Sequence, residues 1–321
     1  MGEIIKVEHL KKYFPTPAGM LHAVDDVSFT IDEGQTLGVV GESGCGKSTL
    51  GRVVLKLLDP TGGRILFDGK DITDAGEKEG IELRKHMQII FQDPYSSLNP
   101  RLCVSDLIAD PLKVYKLYNS ADRQKKVFEL MDMVGLARRF AFSYPHELDG
   151  GRRQRIGVAR ALSLSPRFIV CDEPVSALDV SIQAQILNLL QDLQEQQKLT
   201  YIFVTHDLSV VKHISTDILV MYIGVMVEKS PAKELFKSPL HPYTKGLLSA
   251  IPVPDIDHKK RRVELMGELS SPIEPADECR FLARCQYATD LCRQKAPEYE
   301  EVLPGHFVSC HNVKQINSLN V

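Results

Sequence analysis

Residues 41–49 read Gly-Glu-Ser-Gly-Cys-Gly-Lys-Ser-Thr, directly after a run with the character of a buried strand, Gln35-Thr36-Leu37-Gly38-Val39-Val40. Beyond the loop, residues 50–58 place apolar side chains at helical spacing. Strand, glycine loop and helix in that order let successive backbone N–H groups turn toward a phosphate, and side chains at the glycine positions would obstruct the approach. Gly41, Ser43, Gly44, Cys45, Gly46 and Thr49 form the candidate cradle. Lys47 is expected to reach the β- and γ-phosphates of a nucleotide, and the Ser48 hydroxyl to ligate Mg²⁺.

A second cluster of candidates lies at the ends of other apolar runs. Asp172-Glu173 closes the run Phe168-Ile169-Val170-Cys171, where an open α/β sheet presents its ligands. Asp172 is expected to hold Mg²⁺ through its water shell, and Glu173 to polarise the attacking water. His206 follows the run Tyr201-Ile202-Phe203-Val204 and is a candidate for the γ-phosphate or for orienting that water. Gln92 ends Ile89-Ile90-Phe91 and is a candidate sensor of Mg²⁺ or water.

The composition is that of an ordinary globular protein, with 43% hydrophobic and 25% charged residues in 321. A net charge of −3 argues against a nucleic-acid partner, which selects for concentrated positive charge. No apolar run approaches the roughly 18 residues that span a bilayer. Residues 1–14 carry charges throughout, without the apolar stretch of a secretory signal, and Lys6 stands where myristoylation requires Ser or Thr. The chain is therefore expected in the cytoplasm, reaching a membrane only through a protein partner.

Strand-like segments at 4–8, 21–31 and 64–67 come first, followed by a helical stretch over about 105–162 that is expected to break at Pro111 and at Tyr144-Pro145. A helix over 181–196 between two apolar runs suggests parallel strands with crossover helices. Past about residue 236 prolines recur (Pro239, Pro242, Pro252, Pro254, Pro272, Pro275) and apolar periodicity fades, which marks a domain boundary.

Taken in order, the glycine loop, Gln92, the Gly-Gly-Arg-Arg-Gln-Arg segment at 150–155, Asp172-Glu173, Ser176-Ala177-Leu178-Asp179 and His206 resemble ABC transporter nucleotide-binding domains over residues 4–235. The resemblance implies an α/β fold with a RecA-like core, an antiparallel β subdomain and a helical subdomain over about 93–165. The domain would span 1–235, with a small extension over 236–321. Two such domains sandwich two ATP molecules, each site shared between one subunit's glycine loop and the other's signature segment. Tyr13 stands where the family stacks an aromatic ring on adenine; an edge-strand tyrosine is the alternative.

The family's signature is Leu-Ser-Gly-Gly-Gln, and here it is Leu148-Asp149-Gly150-Gly151-Arg152. An ionised Asp149 has no proton to give a γ-phosphate and sets negative charge against negative charge. Arg152 offsets part of this, and a simple helix-capping role for Asp149 is the competing reading. On the first reading the partner's ATP turns over slowly or is only bound, while this chain's own site hydrolyses.

Phe91-Gln92-Asp93-Pro94-Tyr95-Ser96-Ser97-Leu98-Asn99-Pro100, Glu173-Pro174-Val175-Ser176-Ala177-Leu178-Asp179-Val180-Ser181 and His241-Pro242-Tyr243-Thr244 resemble the ATPases of dipeptide/oligopeptide importers. Relatives of that group carry nickel, metallophores or glutathione. The resemblance implies a heterodimer with a second ABC ATPase, two transmembrane permeases, an extracytoplasmic substrate-binding protein, and a place on the cytoplasmic face of the membrane. The loop after Gln92 would meet the permeases. A soluble ABC protein acting on DNA or ribosomes, or a binding-only regulatory subunit, are the readings from other classes.

Cys279, Cys285, Cys292 and Cys310 fall in the spacing C-x5-C-x6-C-x17-C. Gathered cysteines in a reducing compartment suggest a soft metal site, zinc or iron–sulfur, with free buried cysteines as the alternative. Resemblance to the C-terminal region of peptide-importer ATPases implies a 4Fe–4S cluster, expected to be structural.

Overall fold

The computed structural model describes residues 2–93, 95–251, 265, 267 and 271–319. Pro94, Pro252 and Pro254, which entered the sequence patterns above, lie outside the described residues.

Strands β1 (Glu3–Thr16) and β2 (Gly19–Asp32) pair antiparallel, and their buried positions alternate over much of their length, as in a sheet covered on one face. Strand β3 (Thr36–Val40), buried at every position, runs through the glycine loop into helix α1 (Lys47–Val54). Strands β4 (Gly62–Phe67) and β5 (Lys70–Asp71) complete a sheet in the order β2-β1-β4-β5. Next come α2 (Glu77–His86), β6 (Met87–Ile90), α3 (Val104–Val114), α4 (Ser120–Met133) and α5 (Gly150–Leu162). Strand β7 (Phe168–Asp172), helix α6 (Val180–Gln197) and strand β8 (Thr200–Val204) follow. The rest is α7 (Leu208–Ile214), β9 (Asp217–Tyr222), β10 (Val225–Pro231), α8 (Ala232–Lys237), α9 (Pro242–Ser249), α10 (Asp290–Gln294), β11 (Glu300–Leu303), β12 (His306–Val308) and α11 (Val313–Ile316).

These elements form two compact units, Met1–Asp74 with Thr205–Val321, and Ala75–Val204. In the first, β3 lies parallel to β9, and β9, β10, β12 and β11 continue antiparallel from it. In the second, β6, β7 and β8 run parallel, and β7 and β8 are buried throughout, as strands covered on both faces must be. Helices α3, α4 and α5 pack on one another around Leu107, Ile108, Leu112, Val127, Leu130, Met131, Ile156 and Val158. Pro111 sits inside α3 and does not break it. The buried face of that helix offsets the roughly 3 kcal/mol that an interior proline costs.

The change of sequence character near residue 236 is not a break in packing. Strand β12 pairs with β10, with Val308 opposite Glu228, and Glu228 accepts the N–H groups of Leu240 and His241 at 2.7 and 3.0 Å. Tyr222 of β9 meets Tyr243 and Phe281 edge-on, with ring centroids 4.7 and 5.2 Å apart.

Candidate nucleotide-binding site

The loop at 41–49 has the backbone that phosphate binding needs. Gly46 adopts φ +105°, and a Cβ there would stand 2.0 Å from the Ala23 carbonyl; at Gly41 it would stand 2.2 Å from that of Met221. Neither position tolerates a side chain, so the curl of the loop is fixed by its glycines. Ser43 and Gly44 are exposed, Ser48 and Thr49 half-buried, and Cys45 is buried with its thiol pushed up by that burial. Lys47 is only 5% exposed, and its ammonium donates to the carbonyls of Gly41 and Glu42, both at 2.9 Å. It is thus held at the mouth of the loop by neutral acceptors that an anionic phosphate can replace.

Tyr13 of β1 stacks on His22 of β2, with centroids 3.8 Å apart, and its hydroxyl donates to Asp25. Burial and that carboxylate push the Tyr13 phenol well above its ordinary range. Burial opposes ionisation of Asp25, but hydrogen bonds from His22 and Tyr13 and the charge of Arg280 hold it below the usual carboxylate value. Arg280 reaches Asp25 at 2.6 Å.

In the second unit Asp172 ends β7 and is 3% exposed. Glu173 follows at φ +47°, a left-handed conformation that costs a residue with a Cβ about 1–3 kcal/mol, and its N–H is fixed on the Val204 carbonyl at 2.9 Å. The strained turn carries its carboxylate to Gln92, whose amide donates to Glu173 Oε2 at 2.9 Å. In the first unit, His206 is exposed, in the turn between buried Thr205 and Asp207, which caps α7.

Asp149 is the N-cap of α5. Its Oδ1 accepts the Arg152 N–H at 2.8 Å, and its Oδ2 pairs with the Arg152 guanidinium at 2.7 Å. Gly150 and Gly151 form the first turn of α5 behind it. Both carboxylate oxygens are therefore engaged within the signature itself.

Two expectations are corrected here: a 4Fe–4S cluster, and metal binding by the four cysteines. Cys285, Cys292 and Cys310 stand close enough to Cys279 for their charges to add to the burial that raises its thiol. Among the described residues, however, no group of three or more His, Cys, Asp or Glu side chains is placed to hold a metal ion. Burial pushes the Cys279 thiol up to about 12 and that of Cys310 up to about 11. Cys310 packs on Leu240, Val308 and Val313, while Cys292 lies 3.4 Å from the Thr289 hydroxyl and 3.8 Å from the Asn312 amide. Within the first unit, the contacts of Phe281 with Tyr222 and of Arg280 with Asp25 join the extension to the rest of that unit.

Residues 24–176 match the ABC transporter family, and residues 227–292 match the oligopeptide/dipeptide transporter C-terminal region. The oligopeptide transport ATP-binding protein AppF of Bacillus subtilis is 50% identical over 318 residues, covering 96% of this chain and 97% of that protein. The chain belongs to the ABC transporter ATPases of the oligopeptide/dipeptide type. OppF of the same organism, also an oligopeptide transport ATP-binding protein, is 49% identical over 310 residues, with 96% of each chain covered. The dimeric, post-hydrolysis ATP-binding cassette MJ0796 bound to ADP and Pi matches with a TM-score of 0.66 and 29% identity, over 71% of this chain and 99% of that one. The P-loop ABC fold expected from the motifs is thereby established. No helix among the described residues is long and apolar enough to cross a membrane, and an ABC transporter ATPase of this kind works with a membrane permease and pairs with another ATPase.

Sequence reasoning singled out the loop, Asp172, Glu173, His206 and Gln92, but not Glu42, Asp25, Tyr243, Arg280 or Arg284 as neighbours of the site. Tyr243 was visible within His-Pro-Tyr-Thr, where it served only to mark the family. The two arginines carry no local signal, since their partners lie more than 240 residues away.

Proposed function

We propose that this chain hydrolyses ATP to drive import of dipeptides or oligopeptides, as one of two unlike ATPases beneath a pair of permeases on the cytoplasmic face of the membrane. A binding protein outside the membrane would deliver the cargo. The observation that carries the reading is the glycine loop, whose buried Lys47 is held on two neutral carbonyls at its mouth. The names of AppF and OppF support the peptide cargo.

ATP would enter as its Mg²⁺ complex, which supplies charge neutralisation on the β- and γ-phosphates. Gly41, Ser43, Gly44, Cys45, Gly46 and Thr49 would offer backbone and hydroxyl donors, Lys47 would bind the terminal phosphates, and Ser48, Asp172 and Gln92 are the residues that would serve the metal. Glu173 polarises the attacking water with Gln92 holding its carboxylate, and His206 contacts the γ-phosphate. Tyr13 stacks on adenine, in exchange for its present contact with His22. Asp149, Gly150, Gly151 and Arg152 face the ATP held by the partner. The ATPase domain is taken as residues 1–235, with its helical subdomain at about 93–165, and the extension as 236–321. Tyr95 and Phe142, large and exposed, are suited to permease contact.

The test is to purify the chain with its membrane partners and measure ATP hydrolysis and peptide uptake in vesicles. Uptake of a labelled di- or tripeptide that needs both ATP and Lys47 supports the reading. A complex that hydrolyses ATP but moves only a metal chelate would replace the cargo assignment.

A further inference from the structure

The second residue of the glycine loop is gripped by the distant C-terminal extension. The Glu42 carboxylate receives both terminal nitrogens of Arg284, at 2.7 and 3.1 Å, a bidentate arrangement in which the arginine side chain is 10% exposed and the glutamate 29%. The Glu42 N–H donates to the Tyr243 hydroxyl at 2.9 Å, and the Glu42 carbonyl accepts from Lys47 at 2.9 Å. One residue therefore joins the extension to the ammonium group that is to meet the nucleotide. Arg284 is itself placed by a short turn, Leu282–Arg284, directly after Phe281, whose ring is buried against Tyr222 and Tyr243. Its guanidinium also stands over the Tyr222 ring, 5.9 Å from the centroid.

A glutamate inside an anion cradle is unfavourable on charge alone, because its carboxylate repels the phosphates the cradle attracts. A bidentate guanidinium removes most of that repulsion and fixes the side chain in one orientation. We propose that Arg284 is a positioning residue for the nucleotide: paired with Glu42, it cancels a carboxylate charge beside the phosphate loop and holds the loop segment on which Lys47 rests. The proposal relies on the reading of residues 41–49 as a phosphate loop. It gives the extension a part in nucleotide affinity, beyond any part in holding the subunit together.

The sign of each effect separates this role from simple fastening of the extension. Arg284→Gln leaves Glu42 ionised and unpaired, and is expected to weaken ATP binding by the full-length chain about tenfold, with ADP weakened less because it carries less charge. Glu42→Gln does the opposite, freeing Arg284 beside the anion, and is expected to tighten ATP about threefold. The double variant Glu42→Gln/Arg284→Gln is expected to return to within about threefold of the wild type, and Arg284→Lys to fall between. Titration calorimetry with Mg-ATP and Mg-ADP reads these constants, with melting temperatures alongside. Equal weakening in Arg284→Gln and in the double variant, or no tightening in Glu42→Gln, would overturn the proposal even if Arg284→Gln itself folds poorly. A wild-type chain that binds no ATP would overturn the phosphate-loop reading and this proposal with it.

Discussion

Gln92 donates its side-chain amide to the Glu173 carboxylate at 2.9 Å, from just past the end of β6 to the turn after its parallel neighbour β7. Glu173 can keep its left-handed backbone because its N–H is tied to Val204 and its carboxylate is held by Gln92. Strain of this kind persists where neighbours over-determine a residue, and the two contacts together hold the carboxylate in one orientation.

Glu173→Gln keeps the shape and the hydrogen-bonding reach of the side chain but removes its basicity. ATP hydrolysis in the assembled complex is expected to fall by about 10²–10⁴-fold while ATP binding persists, as for loss of a general base. Parallel measurement of turnover and of bound nucleotide checks this, and turnover within a factor of two of wild type would remove Glu173 from the chemistry. Gln92→Ala is expected to lower turnover less, since it frees the carboxylate without removing it.

The sequence allows Asp149 two roles, a negative charge facing the partner's ATP or a helix cap. The structure makes it a cap, and also pairs its charge with Arg152. Asp149→Ser preserves a capping oxygen, so stability should change by no more than about 0.5 kcal/mol, whereas Asp149→Ala should lose about 1 kcal/mol. If the charge restrains the partner's ATP, Asp149→Ser raises ATPase activity of the complex and Arg152→Gln lowers it. Opposite changes in the two variants are the expected result, and unchanged rates in both would leave Asp149 a cap alone.

Much of the fold could be read in the chain because its signals are local. Five-residue runs such as Phe168–Asp172 and Thr200–Val204 are apolar or β-branched almost throughout, and the glycine loop sits between a strand and a helix. Pro111 misled because its helix is stabilised by tertiary packing that a single sequence window does not contain. The cysteine spacing misled for a related reason. Spacing gives no distance, and here Cys310 lies against leucine and valine side chains. The grip of Arg284 on Glu42 was beyond reach because nothing near either residue specifies a partner 242 positions away.

Glu228 is fully buried and accepts from three groups: the N–H of Leu240, the N–H of His241, and His306, whose Nε2 lies 2.7 Å away. Glu228→Ala leaves all three without an acceptor and is expected to cost about 3–5 kcal/mol, while Glu228→Gln keeps an acceptor and should cost less. Urea unfolding of the two variants gives the comparison. A loss below about 1 kcal/mol for Glu228→Ala would mean that water or rearrangement replaces the carboxylate.

His241 ties helix α9 to pH. It is 2% exposed, and its Nδ1 accepts the Tyr243 N–H at 3.1 Å, a bond that requires the neutral ring. Burial lowers its pKa from the ordinary 6.5 to about 4, only partly opposed by the nearby Glu228 charge. Between those values the unfolded chain holds the proton and the folded chain does not, so stability falls as pH drops from about 6.5 toward 4. The loss from this one group amounts to about 3 kcal/mol by the lower end of the window. His241→Asn offers a neutral acceptor near the same place without the titration. Melting curves from pH 7 to pH 4 should therefore be flatter for the variant than for the wild type, and because Tyr243 follows His241 in the same cap, Glu42 should lose its Tyr243 contact in the wild type as α9 loosens. ATP affinity at pH 5 is accordingly expected to fall more in the wild type than in His241→Asn. Parallel slopes in the two proteins would place the acid sensitivity elsewhere.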